Sequence, residues 1–368
     1  DAATASTNPE PKKSATTTTQ TKQKTDREPV YFSTVTASKY KFNNAKNDLK
    51  TARFKFFWQP EYQYYIDPSD HNEPNYVQKA VFCRDNDSNL YVLSDEETLK
   101  LYNSNGELID IGQNFMPETI YDLTCDPITN KIYGMNVWQA AAGETGVEII
   151  YAILKIEKDF SNEIVANNSL KIIFEEEDED YNIEEYPNFV AAYNGMAVCF
   201  SRADPIFKKA YYVDLNSNNP KFKTIEFPAN YEFRGADWPE SVVKDVFMDD
   251  KHIYVLTIFQ DGKPDEGQLI VYDYKVIGSN GNRKIKVECD IANMKIYGGY
   301  PGGGNNTGYY NKNFAVPVKF VGYQNGFLYI ADDGIEENGD KDINRIVTFD
   351  IKNNTLKFKD LSSVIWIE

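Results

Sequence analysis

Along most of this chain the apolar residues come in short runs, each closed by Asn, Asp or Gly. Runs of strand length between turn residues predict β-strands, and no apolar stripe of 3.6-residue period lasts the ten or more residues of a helix. The runs also repeat in a fixed order. A first strand enters a polar turn, and the second strand then carries an aromatic or apolar residue in third place. The five examples are Asn89-Leu90-Tyr91-Val92, Lys131-Ile132-Tyr133-Gly134, Gly195-Met196-Ala197-Val198, His252-Ile253-Tyr254-Val255 and Phe327-Leu328-Tyr329-Ile330. The first strands that precede them are Ala80–Cys83, Tyr121–Cys125, Val190–Tyr193, Val242–Met248 and Val318–Tyr323. Strand, polar turn, strand is the pattern of a hairpin.

A third strand follows in each unit: Leu99–Asn103, Ala152–Glu157, Ala210–Asp214, Leu269–Asp273 and Arg345–Asp350. Weaker fourth strands are expected at Glu107–Ile111, Lys221–Phe227 and Thr355–Lys359. A proline stands ahead of the first strand at Pro74, Pro117, Pro187 and Pro239, and more loosely at Pro317. Proline lacks an N–H, so it suits a strand's first residue and not the interior of a ladder. The anchor positions 91, 133, 197, 254 and 329 are 42, 64, 57 and 75 residues apart.

Four strands per unit at such spacing resembles a β-propeller, an all-β fold of radial four-stranded blades. A serial β-sandwich array is less consistent, because the units read as simple meanders. Five units are clear. Residues 30–72 (with Val30–Ala37 and the alternation Phe54, Phe56, Trp58) and the terminal Ser363–Ile367 predict more strands. A blade completed by both chain ends would make six, and the 75-residue interval before Tyr329 leaves room for a seventh. The resemblance is to a fold: Trp-Asp, kelch-type double-glycine and Asp-box repeats are absent.

Residues 1–29 differ from the rest. Prolines aside, their only apolar residues are four alanines, so they bury too little to offset the entropy of ordering and read as a disordered tether. The domain division is therefore a tether over 1–29 and a propeller over 30–368. A Thr/Ser/Lys leader of this kind resembles that of mature bacterial lipoproteins. The resemblance implies an extracytoplasmic protein of the cell envelope or a secreted one, attached to membrane only through an N-terminal lipid.

Charge sharpens the picture. The chain has 39 Lys+Arg against 56 Asp+Glu, a net −17. The tether itself carries +1, so the acidic excess falls on the propeller. That balance argues against a nucleic-acid partner, whose phosphates require Lys and Arg. Apolar runs such as Phe189–Tyr193 fall far short of the roughly 20 residues of a membrane helix.

Candidate chemistry is sparse. Cys83, Cys125, Cys199 and Cys289 lack Cys-x-x-Cys spacing and read as small buried core residues; Cys83 and Cys125 each precede their anchor tyrosine by eight residues, which predicts equivalent places in adjacent blades. The two histidines, His71 and His252, have no Ser or Cys nucleophile motif beside them. Glu175–Glu185 and the stretch Asp332–Asp342, expected to be a polar loop, are rich in oxygen ligands of the kind Ca²⁺ takes, but neither has EF-hand spacing. Solvated acidic loops are the simpler expectation, so no cofactor or metal ligand is assigned. Asp85–Asn89 reads as a hairpin turn. Gly298–Gly308 reads as a long loop without a phosphate-loop ending.

In propellers the link from the outer strand of one blade to the inner strand of the next lies at the channel mouth, where ligands usually bind. Those links carry the proline mark, which nominates Tyr76, Glu118, Tyr186, Asn188, Trp238 and Glu240, with Tyr309 and Tyr310, as ligand-binding residues. Their aromatic rings offer broad amphipathic contact; the competing expectation is that several pack between blades. No residue is assigned as catalytic. The expected role is binding or scaffolding: a monomer that recognises a protein, peptide or glycan at the propeller face. The alternative is a glycan lyase or hydrolase using carboxylates in the central channel.

Overall fold

The computed structural model describes residues 81–359, apart from 88, 94–98, 104–107, 113–119, 142–145, 174–185, 202–209, 226–240, 260–266, 289–294, 299–313, 315–316, 325 and 336–341. These residues form five antiparallel blades and no helix. Blade one comprises β1 (Phe82–Arg84), β2 (Leu90–Leu93), β3 (Leu99–Tyr102) and β4 (Leu108–Gly112). Blade two comprises β5 (Ile120–Asp126), β6 (Lys131–Ala141), β7 (Gly146–Ile156) and β8 (Asn162–Ile173). Blade three has β9 (Pro187–Tyr193), β10 (Met196–Ser201), β11 (Ala210–Asp214) and the short β12 (Lys223–Thr224). Blade four has β13 (Ser241–Met248), β14 (His252–Phe259), β15 (Gln268–Ile277), β16 (Lys284–Val287) and β17 (Lys295–Gly298). Blade five has β18 (Pro317–Gln324), β19 (Phe327–Ile335), β20 (Asp342–Asp350) and β21 (Thr355–Lys359).

Within each blade the strands pair in sequence order, and the first strands of successive blades pack side by side: β1 on β5, β5 on β9, β9 on β13 and β13 on β18. That ring of first strands makes the arrangement a β-propeller. The two segments assigned by sequence to a sixth blade, 30–72 and Ser363–Ile367, lie outside the described residues. Much of the long interval before Tyr329 belongs to blade four. Its third strand β15 pairs with β16 along Tyr274–Ile277 and with β17 along Gln268–Val271, so the fourth strand comes in two pieces.

The cores lie between blades, which explains why the second strands open on apolar runs. Side chains alternate across a strand, and here both faces are covered. On β10, Met196, Val198 and Phe200 pack towards blade four, while Ala197 and Cys199 pack towards blade two. On β14, Ile253 and Val255 face blade three, and Tyr254 and Leu256 face blade five.

Alternation also corrects two sequence expectations. Tyr91, Tyr133 and Tyr254 face the following blade, whereas Ala197 faces the preceding one, so Ala197 is not their counterpart. Blade three turns through Asn194-Gly195, two residues with both φ values positive (51° and 71°), where blades one, two and four use longer turns. A side chain at Gly195 would also collide with Asn216. Likewise Cys83 pairs with Tyr91 but Cys125 with Ile132, one step out of phase. The two thiols therefore do not occupy equivalent places; both enter the same core between blades one and two. Pro187 and Pro317 open their strands as predicted. Asp332–Ile335 and Asp342 are not loop residues: they pair with one another's strands in β19 and β20.

Candidate functional site

The described centre of the propeller is built from charged residues inserted into apolar first strands. Asp122 on β5, Asp245 on β13 and Lys319 on β18 each stand beside a register shift, and each pairs two residues beyond the anchor tyrosine of its blade, with Met135, Leu256 and Ala331. The same bulge in three blades turns three side chains towards the axis. There the Lys319 ammonium lies 3.4 Å from Asp122 Oδ1 and 3.4 Å from Asp245 Oδ2, with all three side chains no more than 5% exposed. It also stands 5.1 Å from the ring centroid of Phe82 in blade one.

Backbone donors complete the arrangement. Asp122 accepts from the N–H groups of Leu123 and of Val190 in blade three, and Asp245 accepts from Phe320 N–H in blade five. All five described blades thus meet at one ionic knot. Burial works to lower the lysine's pKa, but Asp245 and Asp122 outweigh it and raise the value above the ordinary, so Lys319 is charged.

Beside the knot, towards the turns that join first and second strands, is a cavity of about 170 Å³. Phe82, Phe247, Phe320 and Tyr323 supply aromatic rings to it, and Cys83 and Cys125 supply thiols. Phe247 stacks at a tilt on Phe320 and Tyr323, with centroids 6.0 and 5.8 Å away. Burial pushes the Cys125 thiol up to about 12 and raises Cys83 as well, so both are protonated at neutral pH.

The turns form a second layer of joints. Asn86 donates to Asn130 Oδ1 and to Pro127 O, tying the blade-one turn to that of blade two. Asp126 accepts from the N–H groups of Asn194 and Gly195, while Arg283 donates to the carbonyls of the same two residues from the other side. Arg283 is itself held on Asp214 at 2.7 Å. Burial tends to raise the pKa of Asp214, but the Arg283 hydrogen bonds and charge prevail and hold it below the usual carboxylate range. In blade four, His252 lies between Asp249 and Asp273, and Tyr254 donates to Asp249 at 2.8 Å.

Of the residues nominated from sequence, two are described. Tyr186 is half-buried and packs edge-on against Tyr121 of blade two, centroids 6.4 Å apart. Asn188 is buried at the start of β9. Tyr76, Glu118, Trp238, Glu240, Tyr309 and Tyr310 lie outside the described residues, as do His71, Cys289 and Glu175–Glu185. Among the described residues no group of three or more His, Cys, Asp or Glu side chains could hold a metal ion. Sequence reasoning missed the axial triad. Its signal was present: a charge interrupts an apolar first strand at Tyr121-Asp122-Leu123, Lys244-Asp245-Val246 and Val318-Lys319-Phe320.

Comparison with known proteins adds little beyond the fold. Residues 230–368 match the model of a family described as the TdpA C-terminal domain, well under half of the chain. No curated protein matches the sequence. Among solved structures, a nidogen/laminin complex aligns at 9% identity and TM-score 0.37 over 77% of this chain and 80% of that one. The β-propeller domain of Myceliophteria thermophila Cps50 (Swd1) aligns at 8% identity and TM-score 0.32, over 79% and 89%. The phage phi92 endosialidase aligns at 9% and 0.31, over 84% of this chain, which spans half of that protein.

Proposed function

We propose that this chain is an extracytoplasmic binding or scaffold module, a monomeric propeller that recognises a protein, peptide or glycan through the loops of its face. The observation that carries the proposal is the axial knot. Two 3.4 Å contacts to one nitrogen hold Asp122 and Asp245 within twice that distance, no farther apart than the roughly 5–10 Å of glycosidase pairs. A catalytic pair needs one carboxyl free to give a proton and another free to attack or to activate water. Here the two share a buried ammonium and also accept backbone N–H groups, so they serve as joints between blades. Recognition then falls to the links between blades, where Trp238, Tyr309 and Tyr310 stand in the sequence. The polar leader supports a tethered location in the envelope, and residues 30–72 with Ser363–Ile367 supply the strands for a sixth blade.

The test uses the full chain against glycan arrays and candidate envelope proteins. Saturable binding that weakens in Trp238→Ala or Tyr309→Ala, at unchanged melting temperature, is the expected result. Release of reducing or unsaturated ends from a polysaccharide, abolished by Asp245→Asn in a variant that still folds, would establish the enzyme instead.

A further inference from the structure

The cavity beside the axial knot lies at the turn side of the blades, away from the proline-marked links. Its volume of about 170 Å³ compares with about 150 Å³ for an engineered apolar cavity that binds benzene. Its charged side chains are Arg84 and Lys319 against Asp85 and Asp245, two of each sign, so the wall as a whole is neutral. The acids are engaged already: Asp85 accepts from Asn89 N and Nδ2 at 2.8 Å, and Asp245 from Phe320 N at 2.8 Å. A ligand carrying a full charge would upset this balance of two cations and two anions and lose its hydration. An uncharged one would not.

Lys319 is held by longer contacts than the two acids. Its contacts to the two carboxylates, at 3.4–3.5 Å, are longer than the roughly 2.7–2.9 Å of a well-formed N⁺–H···O⁻ bond. An ammonium has three donors, and the residue that carries this one lines the cavity. An oxygen arriving from the cavity side would find a charged donor that its present partners satisfy loosely. The rings of Phe82, Phe247, Phe320 and Tyr323 would flank the remainder of the molecule.

We propose that the axial cavity is a pocket for a small uncharged aromatic molecule whose single acceptor oxygen takes a hydrogen bond from Lys319. Cys125, which also lines the cavity and is only partly buried, reports on occupancy.

The probe series is acetophenone, ethylbenzene (the same shape without the oxygen), benzoate and benzylamine, each added to the full chain. The readout is the rate at which iodoacetamide alkylates Cys125 at mildly alkaline pH, where the thiolate fraction is larger, resolved by peptide mass spectrometry. At ten times its dissociation constant acetophenone slows that rate about tenfold, by mass action. Ethylbenzene binds about tenfold or more weakly, for want of the charge-assisted bond. Benzoate and benzylamine give no protection. Cys125→Phe, which fills the wall, abolishes the rise in melting temperature that acetophenone produces. No protection by either neutral ligand, or stronger protection by benzoate, overturns the proposal. Equal binding of acetophenone and ethylbenzene removes the role of Lys319. If Cys125→Phe does not fold, the wild-type series decides alone.

Discussion

Two of the ionic joints between blades are built in opposite ways. At the axis, Lys319 joins Asp122 and Asp245 through long contacts with every partner out of water. At the turn face, Arg283 joins Asp214 at 2.7 Å, reaches two backbone carbonyls and stays 12% exposed. Charges at the axis lose their whole hydration, and their mutual attraction must repay it. Charges at the clamp keep part of their water and form short, directed bonds. The axial joint should therefore specify which blades meet, while the clamp should add stability outright.

The sharpest way to break this contrast is Lys319→Ala. It leaves two buried carboxylates facing each other and should cost about 3–5 kcal/mol, read from urea unfolding. Its companion replaces all three charges at once, Asp122→Leu, Asp245→Leu and Lys319→Met. That variant should lie near wild type or be stabilised by up to about 4 kcal/mol. A loss as large as that of the single variant would show that the knot stabilises on balance.

Next in size is Arg283→Met, expected to cost about 1.5–3 kcal/mol from its charged hydrogen bonds. The same joint has an acid signature. Asp214 titrates below its ordinary range when folded, so on acidification the unfolded chain takes the proton first. Its contribution is intact at neutral pH and above, and is lost as pH falls through the depressed folded value. Melting temperature followed from pH 7 down to about 3 should thus drop less steeply in Asp214→Asn than in wild type. Asp249 acts in the same direction: burial alone would raise its pKa, but hydrogen bonds led by that of His252 lower it. The smallest effect belongs to the rim. Lys155, between Glu157 and Glu163 on exposed strand surface, should cost under about 1 kcal/mol as Lys155→Ala, and less still in high salt.

The blades were legible because the second strands open on apolar runs directly after turn residues. Ala210–Asp214 and Thr355–Lys359 coincide with β11 and β21 to the residue. Phase was not legible. Whether Ala197 or Met196 matches Tyr254 depends on turn length, and one residue reverses the face of every side chain after it. The long fourth strand of blade two, Asn162–Ile173, was also missed, since its exposed polar positions Glu163 and Asn167–Ser169 dilute the apolar signal. The axial triad escaped for a different reason. A lone charge in a strand resembles a solvent-facing residue until three blades are seen to aim theirs at one point.

The place of Lys319 along the chain has a consequence for assembly. Its partner Asp122 lies 197 residues earlier and Asp245 lies 74 earlier. During synthesis from the N-terminus, blades two to four can stack while their two axial carboxylates still lack the Lys319 ammonium. Those acids can remain hydrated only while the centre stays open to water. Arrival of the fifth blade delivers the cation and allows the axis to dry. A chain truncated before Lys319 would therefore hold an unsealed stack, exposed to proteolysis along its inner strands.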